Sequence, residues 1–73
     1  MERILRYSLD HWRPIRLIFQ REGALQQRNV QVLALEAGRV RLLSRRPREE
    51  WEMLLTDVLG ADYARGDEGQ GEG

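Results

Sequence analysis

The stretch "PIRLIF", residues 14 to 19, decides the fold. In it the hydrophobic period changes from that of a helix to two. Ile15, Leu17 and Phe19 fall on one side and Arg16 and Ile18 on the other, the alternation of a half-buried strand. Upstream, "ERILRYSLDHW" (residues 2–12) places Leu5, Leu9 and Trp12 at i, i+4 and i+7, with Ile4 and Tyr7 widening the stripe. That spacing predicts one short amphipathic helix. Pro14 closes it, because the residue before a proline is pushed out of the helical region.

Downstream the strand reading continues. Gly23 in "REGAL" supplies a turn, and "RNVQVLALEA" reads as a second strand. Val30, Val32 and Ala34 are expected on one face, Leu33 and Leu35 on the other, so both faces carry apolar residues. "EAGR" is a tight hairpin signal, since Gly38 can take the positive φ such turns need. "VRLLS" is the third strand, "RRPREE" breaks the pattern at Pro47, and "WEMLL" alternates again through Trp51, Met53 and Leu55. "TDVLGADYA" reads as a helical turn with Thr56 or Asp57 as its cap. There is no internal repeat. A helix followed by four to five short strands within about 60 residues predicts a mainly β fold, a small Sm-like β-barrel with a short N-terminal helix. Closure would remove exposed strand edges.

The chain has 73 residues, sufficient for one small domain over residues 1–65. Residues 66–73, "GDEGQGEG", are polar and glycine-rich and are expected to be a disordered acidic tail. A core this small rarely supplies more than about 3–5 kcal/mol alone. No cysteine is present and there is one histidine. Disulfide and thiolate-metal staples are therefore excluded, no metal or cofactor is expected, and oligomerisation is the remaining common route to stability. Absence of cysteine fits a reducing, cytoplasmic setting. The charged N-terminus "MERILRYSLDHWR" is neither a signal peptide nor a membrane span, and no membrane partner is expected.

Net charge is zero, but unevenly placed. All twelve basic residues are arginine, and residues 1–65 carry those twelve against nine acids, a balance of plus three. In "RVRLLSRRPREEW" (residues 39–51) five arginines stand between Arg39 and Arg48 with no acid among them. Arginine suits phosphate, since its planar fork donates two hydrogen bonds at once. Arg39, Arg41, Arg45, Arg46 and Arg48, joined by Arg16 and Arg28, are the candidate ligand-binding residues. The partner they imply is single-stranded nucleic acid or another anionic ligand. Such a binder also wants aromatic platforms. Trp12, Trp51, Tyr7 and Tyr63 are candidates, although Trp12 and Trp51 sit in apolar patterns and read as core. The competing expectation is that these arginines pair across strands with Glu36, Glu49, Glu50 and Glu52 and only solvate the surface.

The segment order resembles the WYL domain, a small Sm-like barrel of bacterial regulators and short standalone proteins. "HWRPIRLIF" is similar to that family's opening strand, a basic-apolar run ending in an aromatic, here Phe19. "QQRNVQVLALEAGRV" resembles its long second strand, reached through Arg28 and left by a glycine turn. "EMLLTDVLGA" resembles its closing strand and turn. The resemblance runs from roughly Ile4 to Ala61. The Trp-Tyr-Leu tripeptide that names the family is replaced by Val40-Arg41-Leu42. The resemblance implies a module that senses or binds an anionic ligand such as a nucleic acid strand or nucleotide, without a DNA-reading domain of its own.

Catalysis is not expected. Asp10 and His11 are adjacent, but a catalytic constellation needs a third partner and a pocket, and Ser8 and Ser44 lack a nucleophile-elbow context. His11 fits the C-terminal end of the helix, where a cation meets the dipole favourably. The glycines of the tail follow no strand and open no helix, so they are not a phosphate loop. The two-faced apolar pattern of "VQVLAL" supports a second function, a protein–protein module, most simply a homodimer, that covers whichever of Val30, Val32, Leu33 and Leu35 lies outside.

Overall fold

A computed structural model describes residues 1–64. The expected disordered tail, residues 66–73, lies outside the described residues. The elements are α1 (Glu2–His11), β1 (Ile15–Arg21), β2 (Ala24–Glu36), β3 (Arg39–Arg45), β4 (Arg48–Leu54), a single 3-10 turn at Leu55–Asp57, and β5 (Val58–Tyr63). The five strands form one antiparallel sheet in the order β4-β3-β2-β1-β5. The fold is mainly β, with an N-terminal helix.

Leu5 of α1 is fully buried, with Ile4, Tyr7 and Leu9 packed partly against the core. The helix starts with the Met1 carbonyl accepting from the Ile4 and Leu5 amides. It ends one residue earlier than the apolar stripe predicts. Trp12 turns left-handed (φ 55°, ψ 50°) and donates its amide to the Ser8 carbonyl. That turn swings Trp12 off the core face and leaves it 58% exposed, so its assignment to the core is corrected.

All three β-hairpins use two-residue loops. Glu22–Gly23 and Ala37–Gly38 each take positive φ at both positions, the backbone that matches strand twist. Arg46–Pro47, joined by a cis peptide, connects β3 to β4. "RRPREE" is thus not a break but a tight turn, with Arg48 already in the next strand.

In β1, Ile15, Leu17 and Phe19 are buried, as the alternation predicts. The thirteen residues of β2 serve two partners. Ala24–Val30 pair with β1, and Val30–Glu36 pair with β3. A bulge between Val32 and Ala34 inserts Leu33 as an extra residue. One extra residue reverses the facing of all that follow. Leu35 therefore packs on the core that holds Val30 and Val32, while Ala34 faces out. The expected division of Val30, Val32 and Ala34 from Leu33 and Leu35 is corrected on this point. None of Val30, Val32, Leu33 and Leu35 is an exposed residue.

The expected helical turn in "TDVLGADYA" is confined to Leu55–Asp57, and the rest is β5. Gly60 and Asp62 have weak strand preference, yet β5 pairs with β1 from Val58 to Tyr63.

The sheet curls strongly. Phe19 of β1 and Trp51 of β4 have ring centroids 5.6 Å apart. Three strand spacings in a flat sheet would separate those strands by about 14 Å. No pairing joins β4 to β5 among the described residues, so the sheet is open along that seam. The core of Leu5, Ile15, Leu17, Phe19, Val30, Val32, Val40, Leu42 and Val58 fills the concave side. The one helix is too short to cross a membrane.

Candidate functional site

Strand alternation places Arg39, Arg41 and Arg45 on the outer face of β3, opposite the buried Val40, Leu42 and Ser44. Their environments differ. Arg41 stands opposite Glu52 in register and donates to Glu50 at 3.4 Å. Arg39 stands between Glu36 and Leu54 at the other end of the strand. Arg16 lies 3.7 Å from Asp62. These three fit the expectation of arginines balanced by acids on a solvated face.

Arg28 points to the concave side. With Arg21 it grips Glu49 of β4. Arg28 Nη1 donates to Glu49 Oε1 at 2.8 Å, and Arg21 Nη2 donates to the other carboxylate oxygen. Both guanidinium groups also lie over the Trp51 ring, Arg21 at 4.7 Å and Arg28 at 5.5 Å from its centroid. The hydrogen bond from Arg21, then that from Arg28, holds the Glu49 carboxyl down to about 2. The same contact raises Arg21 above its usual range. Trp51 supports this triad from below against Phe19; its Nε1 is buried without a partner.

The remaining arginines gather at the β3–β4 turn. Arg45 and Arg48 face each other in register, with Arg46 between them in the loop. Like charges directly opposite on a sheet repel. Among the described residues none of the three lies within salt-bridge distance of a carboxylate. Beside this turn opens a cleft of about 690 Å³. It forms because β3 pairing with β2 stops at Val30–Ser44, so the β3-facing edge of Ala24–Asn29 has no strand partner among the described residues. The end of α1 forms the opposite wall. Trp12, Pro14, Gln27, Arg28, Asn29, Arg45 and Arg46 contribute, and no carboxylate lines it. The volume falls in the range of small-ligand sites.

Of the seven candidate arginines, then, Arg28, Arg45 and Arg46 share one cleft. Arg48 borders it across the turn, and Arg16 stands next to Asn29 in the β1–β2 register. Arg39 and Arg41 lie apart. The aromatic assignments are reordered: Trp51 packs within, as its pattern predicts, while Trp12 lines the cleft. Tyr7 and Tyr63 meet edge to face at 5.0 Å, and His11 packs at 5.1 Å against Tyr7. Ser8 and Ser44 are both buried and committed to structure. Ser8 Oγ accepts the Val32 amide at 3.0 Å, and Ser44 Oγ donates to the Pro47 carbonyl at 2.9 Å. Sequence reasoning missed Gln27, Asn29 and Arg21, for which only the pairing register carries a signal.

Comparison with family models, curated proteins and solved structures finds no match to this chain.

Proposed function

We propose that this protein is a non-enzymatic, WYL-like module of the Sm-like barrel type, half-open here, that binds an anionic ligand in the cleft beside the β3–β4 turn. The observation that carries the reading is the charge distribution. Arg28, Arg45 and Arg46 line one cleft without a carboxylate, and Arg48 adds a fourth positive charge directly opposite Arg45. Guanidinium groups held close without counter-charges leave a local repulsion that a bound anion relieves. A helix seated on a strongly curled five-stranded sheet supports the barrel-type reading.

Salt dependence tests it. A labelled single-stranded oligonucleotide should bind at about 20 mM salt, and its affinity should fall with a log–log slope near −0.7 for each phosphate contacted. Replacing Arg45 and Arg46 together by alanine should flatten that slope by about one unit or more. Both side chains are exposed, so the double variant keeps the fold. No binding by the wild type, or equal binding by the double variant, rejects the reading.

A second reading, a protein–protein module and most simply a homodimer, draws on different residues. Leu54 ends β4 and Leu59 lies in β5, the two strands with a free edge, and they are 46% and 55% exposed. Open edges with exposed leucines favour pairing with another chain. Sedimentation of the wild type against Leu54→Glu distinguishes this reading: a dimer that the substitution dissociates supports it.

A further inference from the structure

Trp12 is the one aromatic residue of the cleft, and nothing in the fold explains its presence there. Its φ of 55° lies in the left-handed region, where a bulky side chain is strained and glycine or asparagine is the usual occupant. Its ring is more than half exposed, whereas Leu5 of the same helical stripe is fully buried. It is absent from the apolar residues that pack on the core. A residue that strains the backbone and leaves a large apolar surface in water is disfavoured on both counts. An observed outlier of this kind points to function.

The mounting is rigid. The Ser8 carbonyl accepts from the Trp12 and Arg13 amides and from Gln31 Nε2, the last at 2.8 Å, and Ser8 itself is buried. Pro14 follows two residues on. A flat apolar ring is therefore held at one wall of a cleft whose other wall carries Arg45 and Arg46. The exposed side-chain amides of Gln27 and Asn29 lie along the floor.

Inorganic phosphate or a featureless polyanion would use the guanidinium groups and leave the ring without a partner. A ligand with phosphates and flat π faces uses both. Amide side chains add donors and acceptors that match base edges. Duplex bases present no free face, because each is stacked on its neighbours, whereas single strands do. We infer that the cleft takes single-stranded nucleic acid, with an unstacked base lying on Trp12 and the adjoining phosphates on Arg45 and Arg46. This inference rests on the cleft being an anion site, and it names the class of anion.

The experiment compares three ligands on the full chain by competition: a short oligothymidylate, the duplex of the same length, and inorganic polyphosphate of matched charge. Trp12→Gly is the informative variant, because glycine suits the left-handed position and the melting temperature should hold or rise. Base–aromatic stacking is worth about 1–3 kcal/mol per base, so Trp12→Gly should weaken oligothymidylate by about 5- to 150-fold. Its affinity for polyphosphate should be unchanged, Trp12→Phe should recover part of the loss, and the duplex should bind more weakly than the single strand. Replacing Arg45 and Arg46 should weaken every ligand. If Trp12→Gly binds oligothymidylate as the wild type does, or the duplex binds as well as the single strand, the inference is overturned while the anion site stands. A Trp12→Gly change from dimer to monomer, with oligothymidylate affinity intact, would assign the ring to a protein contact and overturn it too. If wild type binds neither polyphosphate nor oligothymidylate, the anion site falls and the inference with it.

Discussion

Arg28 on β2 reaches Glu49 on β4 at 2.8 Å, although β3 lies between their strands. In a flat sheet two strand spacings would keep those backbones about 10 Å apart. The contact exists because the sheet bends around Phe19 and Trp51, and Arg21 joins it from β1. One carboxylate thus bridges three strands where backbone pairing does not close the sheet. The group is a third exposed, so its worth is screened by water, but its geometry ties the two ends of the curl.

The Glu49 carboxyl should make stability depend on acid. Its folded value of about 2 lies below its ordinary 4.5, so the contribution is fully present above the ordinary value. As pH falls below 4.5 the unfolded chain binds the proton first, and the contribution is gone once pH passes about 2. Glu49→Gln should lower the melting temperature at neutral pH. It should also flatten the loss of stability across that acid window relative to wild type. Parallel melting curves for the two proteins from pH 6 down to about 2 would reject this account.

The β2–β3 turn should be improvable. Ala37 holds φ 55°, a conformation unfavourable for an L-residue with Cβ, and Gly38 follows at 73°. Ala37→Asn creates the Asn-Gly pair this turn type prefers. It should add about 0.5–1 kcal/mol, raising the melting temperature by about 2–8 °C. Gly38→Ala should subtract about 1–2 kcal/mol from backbone conformation alone, since a Cβ there meets nothing within 4 Å. Calorimetry of the two variants checks both signs.

The two helix leucines should differ. Leu5 is fully buried and Leu9 only partly. Leu5→Ala should cost about 2–5 kcal/mol. Against a total of about 3–5 kcal/mol for a core this small, that variant should be largely unfolded. Leu9→Ala should remain folded with a smaller loss. Circular dichroism and urea titration distinguish the cases, and equal effects would contradict this packing.

Ser8→Ala should act on the sheet rather than the helix. The Val32 amide, buried beside the bulge, donates to Ser8 Oγ at 3.0 Å and would lose its acceptor. An unsatisfied buried donor costs about 1–3 kcal/mol. Hydrogen exchange should show the Val32 amide losing more protection than the helix amides.

Local periodicity made much of this fold legible. The alternation in Ile15, Leu17 and Phe19 follows from side chains pointing to opposite faces at each step, and it reads the same in sequence and structure. Gly23 and Gly38 marked their turns because few other residues accept positive φ. Pro14 marked the end of the helix, though not its last residue. The helical stripe was equally compatible with Trp12 inside the helix or just past it. One left-handed residue, set by the Ser8 carbonyl and the tether from Gln31, decided that it lines the cleft. Leu33 gave no sign of a bulge, because an apolar residue fits either register. β5 was hidden for the opposite reason: Gly60 and Asp62 lack strand character and are extended by their pairing with β1.

The amino-acid sequence by itself determined which residues alternate, where the chain must turn and that arginine supplies all its positive charge. Only the tertiary structure decided which arginines are neutralised. Glu49 is 21 residues from Arg28 and 28 from Arg21, and Trp12 is more than thirty from Arg45. Periodicity specifies the face a side chain takes on its own strand. The partner on that face depends on sheet register and curl, which arise from packing the whole core at once.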